Sequence, residues 1–197
     1  MKTFFCTILM MTCISVNSQV IIQIEGFGKI NCPLAMEVQG GAYKEYIENL
    51  KIINGVSASN VIFQQKGLND GNGGFDTYAR VMIKTMYGDF NSIKLVPTLQ
   101  ETKEVNTIFK QQIYSEAEQN NATIISWNNA NSTILNGYKT IKFGYKRKIG
   151  SNPIVTVETY FIQNTDRMYS ISFECRNDSY NWASTFYLIK KSLTIKK

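Results

Sequence analysis

The stretch IVTVETYFIQNTDRMYSISFEC, residues 154–175, contains two segments with the residue types of β-strands. Ile154–Ile162 is rich in β-branched and aromatic side chains, and 164–166 (Asn-Thr-Asp) is typical of a turn. From Tyr169 to Cys175, apolar residues alternate with serine and glutamate, as in a strand with one buried face. The stretch therefore predicts an antiparallel hairpin. Residues 141–146 alternate in the same way and predict a third antiparallel strand beside it.

Helical spacing is found on both sides of these strands. Residues 98–119 carry acidic residues near their start and apolar residues at helical spacing, which predicts an amphipathic helix lying on a sheet. Residues 177–179 (Asn-Asp-Ser) are all good N-cap residues and predict the start of a final helix. The apolar stripe of that helix is formed by Trp182, Phe186, Ile189 and Leu193.

Shorter elements are predicted nearer the N-terminus. Strands are predicted at 20–24, 29–32, 61–66 and 77–86, with a return strand at 36–39 and a short helix at 43–54. The Asn-rich residues 120–121 and 127–131 are interpreted as loop edges. Together the elements predict a single α+β domain over 19–197, an antiparallel β-sheet with helices packed on its faces.

The first 18 residues have the three parts of a secretory signal peptide. Lys2 supplies a positive charge, and Phe4–Val16 is an apolar run too short to span a membrane, which takes about 20 residues. Small residues precede a cleavage site between Ser18 and Gln19. We therefore expect a secreted or periplasmic protein without a transmembrane anchor. Whether Cys13, inside the apolar run, carries a lipid stays open.

The formal net charge is +6, from 21 basic and 15 acidic residues. The lysines are spread along the chain instead of being clustered with aromatic side chains, so nucleic-acid binding is not expected. We interpret the charge as a solvated basic surface. Docking on an acidic protein or an anionic envelope surface is the alternative.

The absence of histidine excludes several kinds of chemistry. It rules out Ser-His-Asp and Cys-His catalytic arrangements and removes the commonest zinc ligand. Cys32 and Cys175, the two cysteines of the mature chain, either form a disulfide bond or remain buried thiols. We therefore predict a non-enzymatic protein with no catalytic, cofactor-binding or metal-binding residues.

Three weaker alternatives remain. The glycine-rich residues 67–76 are interpreted as a hairpin loop, with a weak calcium site at Asp70, Asn72 and Asp76 as the alternative. Glu158 and Glu174 lie on neighbouring predicted strands and are candidates for a carboxylate pair in a hydrolase. We interpret both instead as solvent-facing positions that meet lysines across the sheet.

Four tyrosines on adjacent predicted strands are interpreted as core residues, with a shallow aromatic surface for a peptide or glycan as the alternative. They are Tyr138, Tyr145, Tyr160 and Tyr169. Asn121, Asn131 and Asn177 each begin an N-glycosylation sequon, which matters only in a eukaryotic secretory pathway.

With these elements placed, the C-terminal third resembles the PsbP-like fold, which includes the extrinsic protein of the photosynthetic oxygen-evolving complex and a Ran-binding nuclear import factor. The segments that carry the resemblance are Gly137-Tyr138, Tyr145-Lys146-Arg147, Tyr160-Phe161-Ile162, Arg167-Met168-Tyr169, Ile171-Ser172-Phe173, Trp182 with Phe186, and Lys191-Ser192-Leu193. Residues 29–33 also resemble the first strand of that family. The Asn-, Ile- and Lys-rich composition resembles that of small exported proteins of low-GC bacteria such as Bacteroidetes species.

The resemblance implies a non-catalytic protein that docks on a larger complex or binds a ligand, and no functional residue of the family has a match here. We therefore expect an exported binding module that docks on an envelope or extracellular protein partner. The alternative is a carrier that holds a small ligand in a groove between sheet and helix. A hydrolase that works with carboxylates alone is the third hypothesis.

Overall fold

The computed structural model describes residues 19–40, 58–68, 77–90, 99–178 and 180–196. The predicted signal peptide with Cys13, the helix at 43–54 and the candidate calcium ligands at 70, 72 and 76 lie outside these residues. The described elements are β1 Gln19–Ile24, β2 Gly28–Pro33, β3 Met36–Val38, β4 Ala58–Gln65, β5 Ala79–Tyr87, α1 Leu99–Gln119, β6 Ala122–Leu135, β7 Tyr138–Ile149, β8 Val155–Gln163, β9 Arg167–Arg176, α2 Tyr180–Ser192 and β10 Thr194–Ile195.

The described strands form two antiparallel sheets. The larger sheet has seven strands in the order β3-β4-β5-β9-β8-β7-β6, and the smaller has three in the order β1-β2-β10. The hairpin predicted from residues 154–175 is β8 and β9, in which Tyr160 lies opposite Ile171. The predicted α+β class, with an antiparallel sheet and helices on its faces, is confirmed.

Two local predictions are wrong. Residues 127–131 are not a loop edge but the middle of β6, whose pairing with β7 is interrupted by bulges between Ile124 and Ser126 and between Asn128 and Asn131. Because β6 is an edge strand, its asparagines remain in solvent and the sequence shows no clear alternation. The return strand at 36–39 is found as β3, but it pairs with β4 in the larger sheet and not with β2.

Each face of the larger sheet is covered by one helix. On the face that we call the α2 face, helix α2 and the smaller sheet enclose the main core. The predicted stripe is confirmed, since Trp182, Phe186 and Ile189 on α2 and Leu193 directly after it are all buried. The opposite face, which we call the α1 face, carries a second apolar cluster under α1. Neither helix in the described part of the chain is long and apolar enough to cross a membrane.

Candidate functional site

Helix α1 covers only part of its face of the sheet. Phe109 packs against Phe143 on β7 and Phe161 on β8, with 4.8 Å between ring centroids in both pairs. The Asn106 side-chain oxygen accepts hydrogen bonds from the Trp127 indole and the Ala130 backbone N–H, both at 2.9 Å. These contacts hold the helix over β6, β7 and β8.

Between α1 and strands β5 and β9 lies a groove of about 440 Å³, which we call the α1 groove. Ser170 and Ser172 on β9 form part of its floor, because small side chains there leave the space open. Phe109 and Phe161 line the helix side of the groove. Three methionines add a flexible apolar surface: Met82, Met86 and Met168.

One end of the groove carries a cluster of charged and polar side chains, the Arg147 cluster, formed by Tyr78, Arg80, Arg147 and Glu174. Arg147 donates from Nη2 to Oε2 of Glu174 at 2.9 Å, and the Tyr78 hydroxyl donates to the same oxygen at 2.7 Å. Arg80 lies directly opposite Glu174 on β5, and its guanidinium stacks over the Tyr78 ring at 5.5 Å. Glu174 itself is only 5% exposed.

Burial and the Glu174 carboxylate set the protonation states in this cluster. Burial raises the pKa of Tyr78 far above its usual range, and the nearby Glu174 carboxylate raises it further. Burial alone would lower the pKa of Arg147, but the attraction of Glu174, of Tyr78 and of Tyr145 and the hydrogen bond to Glu174 together outweigh it, and the pKa is raised. Tyr78 therefore stays neutral and Arg147 charged, so two guanidinium groups face one carboxylate.

A second cavity of about 240 Å³, the end pocket, lies on the other side of this cluster. Arg147 lines both the end pocket and the α1 groove. The Nε atoms of Arg80 and Arg147 are buried without a hydrogen-bond partner within the described ranges. The apolar part of the end pocket is formed by Leu68, Ile149, Pro153 and Val155.

The two candidate catalytic carboxylates do not come together. Glu158 lies opposite Phe173 on the α2 face, whereas Glu174 lies opposite Val157 on the α1 face. Glu158 meets lysines as predicted, since Lys142 and Lys190 each donate to it at 2.6 Å. The solvent-facing interpretation of Glu174 is wrong, because arginines from β5 and β7 and the neighbouring Tyr78 enclose it.

The candidate tyrosines and cysteines lie in the two apolar clusters or against them, whereas the sequon residues Asn121, Asn131 and Asn177 are exposed. Tyr145 faces α1, while Tyr160 and Tyr169 are buried on the α2 face, so the predicted tyrosines share no aromatic surface. Cys32 and Cys175 are both free thiols packed in the core on the α2 face. Burial raises the pKa of each thiol to about 11.

The Arg147 cluster was missed by the sequence analysis. Its one signal was that Arg147 continues the alternation of Phe143 and Tyr145 along β7 and so had to lie on the same face. Within the described ranges, no group of three or more Cys, Asp or Glu side chains is placed to hold a metal ion.

The fold places the chain among α+β proteins in which helices flank antiparallel sheets. The structure of cyanobacterial PsbP (CyanoP) from Synechocystis sp. PCC 6803 matches 93% of this chain and 96% of its own, with a TM-score of 0.55 and 15% identity. The chain therefore has a PsbP-like fold, as expected from its C-terminal third. The structure of PA94, a protein of unknown function from Pseudomonas aeruginosa, covers 91% of this chain and 98% of its own, with a TM-score of 0.45 and 9% identity. No protein-family profile and no curated protein sequence matches the chain.

Proposed function

We propose that the protein is an exported, non-enzymatic binding module that holds a small ligand in the α1 groove. The observation that carries this proposal is the groove itself, about 440 Å³ in volume and lined by apolar and polar side chains in similar number, with the Arg147–Glu174 pair at one end. Ligand sites in proteins typically have volumes of about 300–1,000 Å³ and contain polar groups that fix the orientation of the ligand. The signal-peptide pattern of residues 1–18 supports export, and the separation of Glu158 from Glu174 argues against a hydrolase that uses them as a pair.

A dye-binding experiment tests the groove. Ser170 lies on the floor between Phe161 on β8 and Lys84 on β5, so Ser170→Phe would fill the space. We expect this variant to lose binding of the neutral dye Nile red while it still unfolds cooperatively. Ser126→Phe, at an exposed position on β6 outside the groove, is the matched control. Equal dye binding by the two variants would contradict the proposal.

A second candidate function, docking on an envelope protein partner, is favoured by strand β1. This strand lies at the edge of the smaller sheet, and Val20 and Ile21 on it are 53% and 67% exposed. Apolar edge strands can accept a strand from another chain. We expect Ile21→Lys to abolish retention of a protein that the wild type captures from envelope extract at moderate salt. Ile134→Lys, on the edge strand of the larger sheet, is the matched control, and equal retention by both variants would contradict docking through β1.

A further inference from the structure

We infer that the ligand of the α1 groove is a monocarboxylate with an apolar body, and that Arg80 and Arg147 bind its carboxylate in the end pocket. This inference rests on the proposed function of the groove. Arg147 makes the connection, because it lines both cavities. A ligand whose apolar part lies in the groove therefore has its charged end beside Arg147, at the wall of the end pocket.

The charge of the site favours an anion with a single charge. Arg80 and Arg147 face one carboxylate, Glu174, which leaves one positive charge in excess. Lys84 and Glu116 also line the groove, and their opposite charges cancel. A carboxylate would neutralise the excess. A phosphate monoester, with a charge of about −1.5 to −2 at neutral pH, would exceed it.

The hydrogen-bonding groups of the cluster fit the same ligand. A guanidinium has five N–H donors in a planar fork that matches a carboxylate, and Glu174 accepts from only one nitrogen of Arg147. The Nε groups of Arg80 and Arg147 are buried and unpaired within the described ranges. Both arginines line the end pocket, so an acceptor that enters it would meet N–H donors of both guanidinium groups.

The apolar half of the lining indicates the kind of ligand body that fits. The end pocket has an apolar wall that includes Ile149 and Val155, and the groove is lined by methionine and phenylalanine side chains. Methionine adapts to irregular apolar shapes, so a flexible alkyl chain suits this surface. We therefore choose octanoate as the probe.

The test compares octanoate with 1-octanol and octyl phosphate as competitors of Nile red. We expect octanoate to displace the dye from the wild type at a concentration at least tenfold lower than 1-octanol, and lower than octyl phosphate. Arg80→Gln should weaken the binding of octanoate to the level of 1-octanol. The affinity for 1-octanol itself should not change. Lys148→Gln, which removes an exposed charge from the same strand as Arg147, should change neither the affinity for octanoate nor that for 1-octanol. Arg80→Lys, which keeps the charge without the fork, should give intermediate octanoate affinity and provides a second variant if Arg80→Gln folds poorly.

Each other outcome overturns a defined part of the inference. If octanoate and 1-octanol displace the dye equally well, the site does not recognise a carboxylate. The groove would then be a site for neutral ligands. Tighter binding of octyl phosphate would overturn the choice of a monoanion. Octanoate affinity unchanged in both Arg80 variants would overturn the role of Arg80. If Nile red does not bind the wild type, the proposed function fails together with the inference.

Discussion

Arg147 on β7 reaches across the intervening strand β8 to donate a hydrogen bond to Glu174 on β9 at 2.9 Å. The Glu174 side chain is 6% exposed and that of Arg147 24%, so the ion pair is largely removed from water. A buried charge that loses its partner is strongly destabilising, although the intact pair adds little to stability compared with apolar residues. The ion pair therefore links β7 to β9 across β8. Each of the two buried charges depends on the other for its stability in the fold.

We expect Arg147→Met to lower the free energy of unfolding by about 3 kcal/mol, because among the described residues Glu174 would keep the Tyr78 hydroxyl as its one hydrogen-bond donor. Glu174→Gln should also destabilise the protein, since Arg147 then lacks its counter-charge. The double variant should cost less than the sum of the two single changes. Urea unfolding of the four proteins measures this coupling, and additive effects would show that the two groups do not depend on each other.

Because the pKa of Glu158 is lowered, we expect the stability of the protein to depend on pH. Burial alone would raise its pKa, but hydrogen bonds from Lys142 and Lys190 outweigh burial and lower the pKa from 4.5 to about 2. A carboxylate with a lowered pKa stabilises the fold above pH 4.5, and this contribution is lost as the pH falls towards 2. We expect a loss of about 1 kcal/mol, because a side chain that is one-third exposed is partly screened by solvent.

The matched control for this pH effect is Glu158→Gln, which cannot titrate. Wild type and variant should differ in unfolding free energy at pH 6, and the difference should shrink between pH 4.5 and pH 2. A difference that stays constant over this range would show that the two lysines do not hold the carboxylate charged.

The elements that the sequence predicts well are those whose signal is local. Helix α1 has apolar residues at helical spacing on its partly buried side, β8 is rich in strand-forming residues, and β9 alternates because one of its faces is buried. Strand β6 has no such pattern, since it lies at the sheet edge and is bulged. The sequence therefore predicts a loop edge at 127–131, in the middle of this fourteen-residue strand.

The site was harder to predict because it depends on which strands are neighbours. Ser170, Ser172 and Glu174 alternate with buried residues, which is the pattern of a solvent-facing side. The structure places arginines from β5 and β7 around Glu174, from positions distant in the sequence. A local pattern predicts the face of the sheet on which a residue lies. Which charged side chains contact it on that face depends on the order of the strands.

Cys32 and Cys175 are free thiols in the structure, and alkylation of a chain that begins at Gln19 tests whether they form a disulfide bond in solution. Burial raises the pKa of Cys32 and of Cys175 to about 11, so few thiolate groups are present at pH 8. We expect iodoacetamide to modify the folded protein slowly and to add two carbamidomethyl groups after unfolding in urea without a reductant. Intact mass spectrometry measures the number of groups added to the folded and to the unfolded protein. Modification only after a reductant is added would establish a Cys32–Cys175 bond.

Gly26 combines a left-handed backbone with a close contact. Its φ is +72°, and an added Cβ would overlap the hydroxyl of Tyr87. Gly137 has a similar φ of +85° but open space around it, so Gly137→Ala should cost only the backbone strain, about 1–2 kcal/mol. We expect Gly26→Ala to destabilise the protein more than this in urea unfolding. The double variant Gly26→Ala/Tyr87→Phe lacks the hydroxyl that the new Cβ would overlap. Compared with Tyr87→Phe alone, it should lose about as much free energy of unfolding as Gly137→Ala loses compared with the wild type. Equal losses for the two single alanine variants would show that Tyr87 moves away freely and does not hold the turn.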